Sequence, residues 1–408
     1  MDARPKQMFF IPEALLVAAS SYMFFLCFVH TNIFAVSNYV IMACETLFLG
    51  LAASYILLVR KKPDIILIAF ALLVYFCVLW IFRGGVDLQG PRNILIVLFF
   101  FSLGAAVSDA RSLNKIFWVV SLLAFAGVLA EYFATGLYLK YVNILDFYVS
   151  RADQATHVPE HLKDNLFISG IRTAGRNLLP FLGDHRISSI FLEPVSMGNF
   201  AIILGIWGLS FSKEDGKKGL GYLLLSVFFL IACDSRFASI LLFILFFVRF
   251  VPLMQSRIVL AALPVAVLAL LLVHAHFNPS DVPHDDFSGR LLRSGEALWD
   301  MSFLNFWGAD VPPPLHDMGF AYCIENYGIL LVILLWTGFV LLPVDTPQGK
   351  YIKAMAAYYA IGILTVSGTS FFAMKTSALL WFMVGIFCVK AVKPALCKKS
   401  ETGCLELC

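Results

Sequence analysis

The stretch from Asp184 to Phe200, DHRISSIFLEPVSMGNF, sets His185, Arg186 and Glu193 at the mouth of an apolar run. Other arginines hold similar places: Arg236 in CDSRF, and Arg290 and Arg293 in SGRLLRSGE. A guanidinium is a planar fork of donors that fits phosphate oxygens and stays charged at any relevant pH. At the centre of a bilayer it costs at least about 2.5–3.5 kcal/mol, so arginines bordering apolar runs are paired or functional. Arg186, Arg236, Arg290 and Arg293 are therefore candidates for holding a phosphate or pyrophosphate headgroup. The plainer reading is that they snorkel to the lipid surface or pair with Glu193, Asp234 or Asp286. Lys140, Arg151, Lys163, Arg172 and Arg176 add basic residues in the same region of the chain.

Acids and histidines stand near these arginines. Glu193 follows Arg186 by seven residues, two helical turns, so both would face one cavity if a helix began early. Pro194 instead favours a helix start at or just after Glu193. HDMGFAYCIENYG places His316 and Asp317 at the head of another apolar run, with Glu325 about two turns further on. An arginine can hold a phosphate while a neighbouring acid or imidazole takes a hydroxyl proton. Glu193, His316 and Asp317 are the candidates for that second role. A salt bridge would look the same in sequence.

The elements that position these residues follow from composition. The 408 residues are 60% hydrophobic and 14% charged, with 39 Phe and a mean hydropathy of +0.84. A soluble domain of this size needs more charge to cover its surface. The chain is expected to be an all-α polytopic membrane protein with about twelve spans, near 9–30, 34–59, 64–82, 92–108, 115–136, 188–211, 219–234, 237–252, 257–275, 317–342, 350–368 and 371–391. The pair across CDSR is separated by almost no loop. The connections RKKPD, SDARSLNK, SKEDGKKG, RFVPLMQSR and PQGKYIK and the tail VKAVKPALCKKS are each rich in Lys and Arg. By the positive-inside rule they and both termini are cytoplasmic. Two long loops, about 137–187 and 276–316, then lie outside, the first opening on an interface-like LYLKYVNILDFYV. No linker divides 1–408, so a single membrane domain with a cytoplasmic tail at about 392–408 is expected.

Several functions lack their signatures. There is no G-x-x-x-x-G-K-[ST] for nucleotide phosphates and no H-E-x-x-H for zinc. The net charge of +3 points to no nucleic-acid partner. The nine cysteines are scattered through apolar runs and the tail, without disulfide or zinc spacing. His274, His276 and His284 sit around Pro279 and Pro283 in what reads as loop, and no metal or other cofactor is expected.

Taken in order, RISSIFLEP, DSRFASILLF, SGRLLRSGEALWDMSFLNFWGAD and HDMGFAYCIENYGILLVILLW resemble the Wzy-type polysaccharide polymerases and the related O-antigen ligases. The matching residues are Arg186 with Phe191, Glu193 and Pro194; Ser235 with Arg236; Arg290, Trp299 and Gly308; and Asp317, Gly319, Phe320 and Gly328. The resemblance covers about 186–340, and the earlier spans only by architecture. Ligases carry a histidine eleven positions before a helix glycine; eleven before Gly328 stands Asp317, which favours polymerase and leaves His316 and Asp317 both open as the base. The resemblance implies a GT-C-like glycosyltransferase of the bacterial inner membrane. Its substrate would be oligosaccharide repeat units on undecaprenyl pyrophosphate, joined at the periplasmic face for exopolysaccharide, capsule or O-antigen. Arg186, Arg236, Arg290 and Arg293 would bind the pyrophosphate, and a flippase and a chain-length regulator are candidate protein partners. The rival from a different class is a twelve-helix secondary transporter, for which the mid-span acids Glu45 and Glu131 would speak; the absence of paired halves speaks against it.

Overall fold

The computed structural model describes residues 10–60, 64–150, 170–172, 175–278, 287–311 and 318–388. Five helices open the chain: α1 (Phe10–Asn32), α2 (Asn38–Arg60), α3 (Asp64–Arg83), α4 (Gln89–Val107) and α5 (Ala110–Phe133). The interface-like segment after them folds as two short helices, α6 (Thr135–Tyr141) and α7 (Ile144–Val149). A second series follows: α8 (Pro194–Ser210), α9 (Gly216–Cys233), α10 (Arg236–Phe250) and α11 (Arg257–Phe277). The next long connection carries α12 (Phe287–Trp299) and the four-residue α13 (Phe303–Phe306). The chain closes with α14 (Gly319–Leu341), α15 (Pro347–Leu364), α16 (Thr369–Phe372) and α17 (Met374–Phe387). No β-strand occurs among the described residues; one isolated bridge pairs Ile171 with His185.

Among the described residues, eight helices are long and apolar enough to cross a bilayer: α1 to α5, α9, α11 and α14. The chain is an all-α, multi-pass membrane protein. Each of the twelve runs singled out in the sequence overlaps a helix. Two of the shorter apolar helices, α8 and α17, form the centre: Phe200, Ile203, Trp207, Leu379 and Phe382 are fully enclosed. α3 and α11 lie outside, with most of their apolar side chains exposed. Hydrocarbon solvates such side chains as well as a protein core does, so packing in the bilayer rests on close fit. α4 and α17 show that fit. Gly104 lies against the carbonyl of Phe382, and Gly385 against the carbonyl of Phe101, so a Cβ at either would collide with backbone.

The contacts sort the helix ends into two groups. At one end Lys115 at the start of α5 meets Glu13 at the start of α1, and Arg249 near the end of α10 donates to Leu209 O of α8. At the other, here the loop end, His30 of α1 meets Asp146 of α7, and Arg83 of α3 reaches the residues beside α13. These pairings bring the starts of α1 and α5 together, and the end of α1 to α7.

One sequence expectation is sharpened and one corrected. Within the 188–211 run, α8 begins at Pro194, the start which that proline favours; Glu193 is extended (φ −139°) and residues 189–191 form a 3-10 turn. Arg186 and Glu193 are therefore not two turns apart on one helix. His274 and His276, read as loop, belong to the last turn of α11, where Asn278 N–H closes onto His274 O at 3.1 Å; His284 lies outside the described residues.

Candidate anion site at the loop end

Glu131, in the last turn of α5, organises the segment that enters α8. Its side chain is fully enclosed and accepts from the backbone N–H of Ser188 at 3.0 Å and of Ser189 at 2.5 Å. His185 Nε2 lies 2.9 Å from the same carboxylate. Ser189 Oγ donates to Ala124 O at 2.6 Å, and close passage at Gly127 leaves no room for a side chain there. A buried carboxylate filled by backbone donors has a structural role that accounts for it in mid-span. Glu45 is likewise satisfied, by Arg92 at 2.6 Å and Tyr22 at 2.5 Å.

The segment so held carries Arg186, and three more arginines converge on it. α9 ends at Cys233 and α10 starts at Arg236; between them Asp234 takes a left-handed conformation (φ +46°). This break frees the last carbonyls of α9, which need donors. Arg176 donates to Ala232 O at 3.0 Å, to Ile231 O, and to His185 O at 2.7 Å. Arg186 Nε donates to Cys233 O at 3.1 Å. Arg172 Nη1 lies 3.1 Å from the fully buried carboxylate of Asp234, which also accepts from Leu178 N at 2.6 Å and Asn177 N at 3.1 Å. With its amide oxygen turned toward them, Asn177 accepts from Arg172 and, at 3.3 Å, from Arg236 Nε.

The result is a knot of four guanidiniums around one buried acid. Burial lowers the pKa of Arg172, Arg176 and Arg186. Arg186 is moved furthest, to about 10, by burial and by the neighbouring charge of Arg172. All remain cations near neutrality, and each is held at a cost that a further anion would relieve.

Of the residues predicted from sequence, Arg186 and Arg236 belong to this knot; Arg186 is buried and Arg236 exposed at the first position of α10. Arg290 and Arg293 stand on α12, whose first residue, Phe287, packs on Phe237 beside Arg236 with ring centroids 5.9 Å apart. Glu193 lies on the far side of the 3-10 turn, paired with Lys375 at 2.9 Å and accepting from Ser196 Oγ at 2.6 Å. His316 and Asp317 lie outside the described residues. Sequence reasoning passed over Arg172, Arg176, Asn177 and Lys375 as site members. Lys375 is buried at the start of α17 and donates to Phe191 O at 2.8 Å, under the turn; a lone lysine heading an apolar run was its only signal.

A second break lies in α14. Gly328 has φ +71° and ψ 146°, and the freed carbonyls of Glu325 and Asn326 accept from Arg83 Nη2 at 2.7 and 2.9 Å. Arg83 Nε donates to Gly308 O at 2.8 Å, so α3 clasps α14 and the turn after α13 together. Beside this clasp, α11, α12, α13 and α14 enclose an apolar groove of about 480 Å³, lined by Leu268, Leu272, Leu298, Phe303, Phe306 and Ile324 among others. Compared with known proteins, the chain matches no family model, no curated protein and no solved structure.

Proposed function

We propose that the chain is a glycan polymerase of the bacterial inner membrane, with about twelve spans, a GT-C-like arrangement, both termini cytoplasmic and the loop end periplasmic. Its substrates are oligosaccharide repeat units on undecaprenyl pyrophosphate. The observation that carries the reading is the arginine knot: Arg172, Arg176, Arg186 and Arg236 gathered around Asp234 at the membrane end of α8, α9 and α10. A lipid-borne pyrophosphate presents its charge at that level, and guanidiniums match its oxygens. The apolar groove beside α12 supports the reading as a lateral path for a prenyl chain, with Arg290 and Arg293 on the same helix.

In the reaction the acceptor hydroxyl oxygen attacks the anomeric carbon of the donor glycan. The bond from that carbon to the phosphate oxygen breaks, undecaprenyl pyrophosphate leaves, and the hydroxyl proton passes to a base. The arginines offset the charge that grows on the leaving phosphate. His316 and Asp317 are candidates for the base; Glu193, which Lys375 and Ser196 already engage, is the third.

The test is a glycan-length assay on purified protein in nanodiscs with the host's lipid-pyrophosphate repeat unit. Wild type is expected to build a ladder. Arg186→Ala should lower its rate about tenfold to a hundredfold, as for the loss of one charge-assisted contact. No ladder from folded protein with authentic substrate would return the transport reading, and a ladder undiminished in Arg186→Ala would keep the function and discard the site.

A further inference from the structure

The turn around α13 carries features that the anion site does not use. Glu325 is only 3% exposed, and its Oε2 is buried with no hydrogen-bond partner among the described residues. Asn305 Oδ1, on α13, is buried and unpartnered in the same way. Native structures leave few such atoms, because each forfeits about 1–3 kcal/mol, and more where the group is charged. The two orphans stand on the two segments that Arg83 clasps. Gly308, whose N–H closes onto Asn305 O at 2.9 Å, and Glu325 both give their carbonyls to its guanidinium. The charges that reach the Glu325 carboxylate are Arg83 and Asp310.

The same turn shows aromatic faces to the outside. Phe303 is 75% exposed, and Phe306 and Trp307 are each 39% exposed. Trp307 meets Phe303 at 6.1 Å and Phe306 at 5.7 Å, nearly edge to face, so the rings brace one another. The backbone beneath is fixed. A Cβ at Gly328 would stand 2.6 Å from Trp307 O, and one at Gly308 2.7 Å from Gly328 N. Both glycines have φ +71°. Two glycines in mutual contact, both in a left-handed conformation that suits glycine, hold Trp307 against the broken helix.

A sugar ring has a face of polarised C–H bonds, which suits the negative face of an indole or phenyl ring, and a rim of hydroxyls, which suits a carboxylate and an amide oxygen. We propose that the α13 turn is a saccharide-binding site, with Trp307 as the stacking face and Glu325 and Asn305 as hydroxyl acceptors. The site takes the glycan of the acceptor repeat unit, and the anion knot takes the donor's pyrophosphate. The proposal rests on the polymerase reading only in naming that sugar the acceptor.

The test uses the full chain in nanodiscs and two probes: lipid-free oligosaccharides released by mild acid from the host's surface polysaccharide, read by saturation-transfer NMR, and undecaprenyl pyrophosphate. Wild type is expected to bind both. Trp307→Ala and Glu325→Gln should each weaken oligosaccharide binding about tenfold or more and leave undecaprenyl pyrophosphate binding unchanged. Trp307→Phe, which keeps a ring, should retain oligosaccharide binding. Should Trp307→Ala fail to fold, Asn305→Ala on the outer helix takes its place with the same expectation. The proposal is overturned if wild type ignores the oligosaccharides, or if folded variants bind them as wild type does, which leaves the rings as anchors at the lipid surface. Oligosaccharide bound through Trp307, with no affinity for undecaprenyl pyrophosphate and no ladder, would remove the polymerase reading and leave the saccharide site standing.

Discussion

Glu131 and Arg186 show how single charges serve different ends a few ångströms apart. Glu131 is saturated by Ser188, Ser189 and His185. Glu131→Ala leaves two buried N–H groups without a partner, at about 1–3 kcal/mol each. A drop in thermal midpoint is the expected result, with Glu131→Gln falling between the variant and wild type. Arg186 is the opposite case. Its pKa is lowered toward about 10, so at every pH below that value the folded state carries the penalty of a buried cation. The contribution is destabilising there and fades only as pH rises through the folded value. Two outcomes follow for Arg186→Gln in a thermal scan: the ligand-free midpoint rises, and the stabilisation that added pyrophosphate confers on wild type disappears. A variant that loses stability and still responds to pyrophosphate would show that Arg186 is a brace.

At the scale of elements, the packing of α4 on α17 through Gly104 and Gly385 is the tightest seam in the bundle. Gly385→Ala puts a methyl against the carbonyl of Phe101 and should cost about 1–3 kcal/mol by overpacking, seen as a lowered midpoint in detergent. Gly221→Ala, where nothing stands within 4 Å of the added carbon, is the control and should be neutral or slightly stabilising. The helices themselves were legible in the sequence, because runs of apolar residues long enough to span leave a signal that needs no partner to be read. The arginines were legible as a type, since a cation beside such a run is conspicuous. Their acceptors were not. Arg176, Arg186 and Arg83 bond to backbone carbonyls freed by breaks at Asp234 and Gly328, and a carbonyl has no residue letter. Pro194, by contrast, was legible: it favoured a helix start at or just after Glu193, which is where α8 begins, although nothing in the sequence pointed to Glu131 as the acceptor for the backbone before it.

For the whole molecule, the division into two ends makes orientation testable. Alkaline phosphatase fused after Phe133, at the loop end of α5, should be active, and fused after Phe250, at the opposite end of α10, inactive; fluorescent-protein fusions at the same points should give the reverse. Equal activity at both points would break the assignment of the loop end to the periplasm.

The arginine knot also dictates an order of synthesis. The segment bearing Arg172, Arg176 and Arg186 leaves the ribosome before the α9 carbonyls it must cap, which lie 55 and 56 residues on from Arg176. The lysine that supports its floor comes 184 residues after Phe191. Until α9 and Asp234 follow, these arginines lack the carbonyls and the carboxylate they bond to in the folded chain, and the carbonyl of Phe191 waits longer still for Lys375. A chain stopped before α17 would thus contain every arginine of the knot and still lack the lysine beneath its turn, so the finished site forms only once α17 has been made.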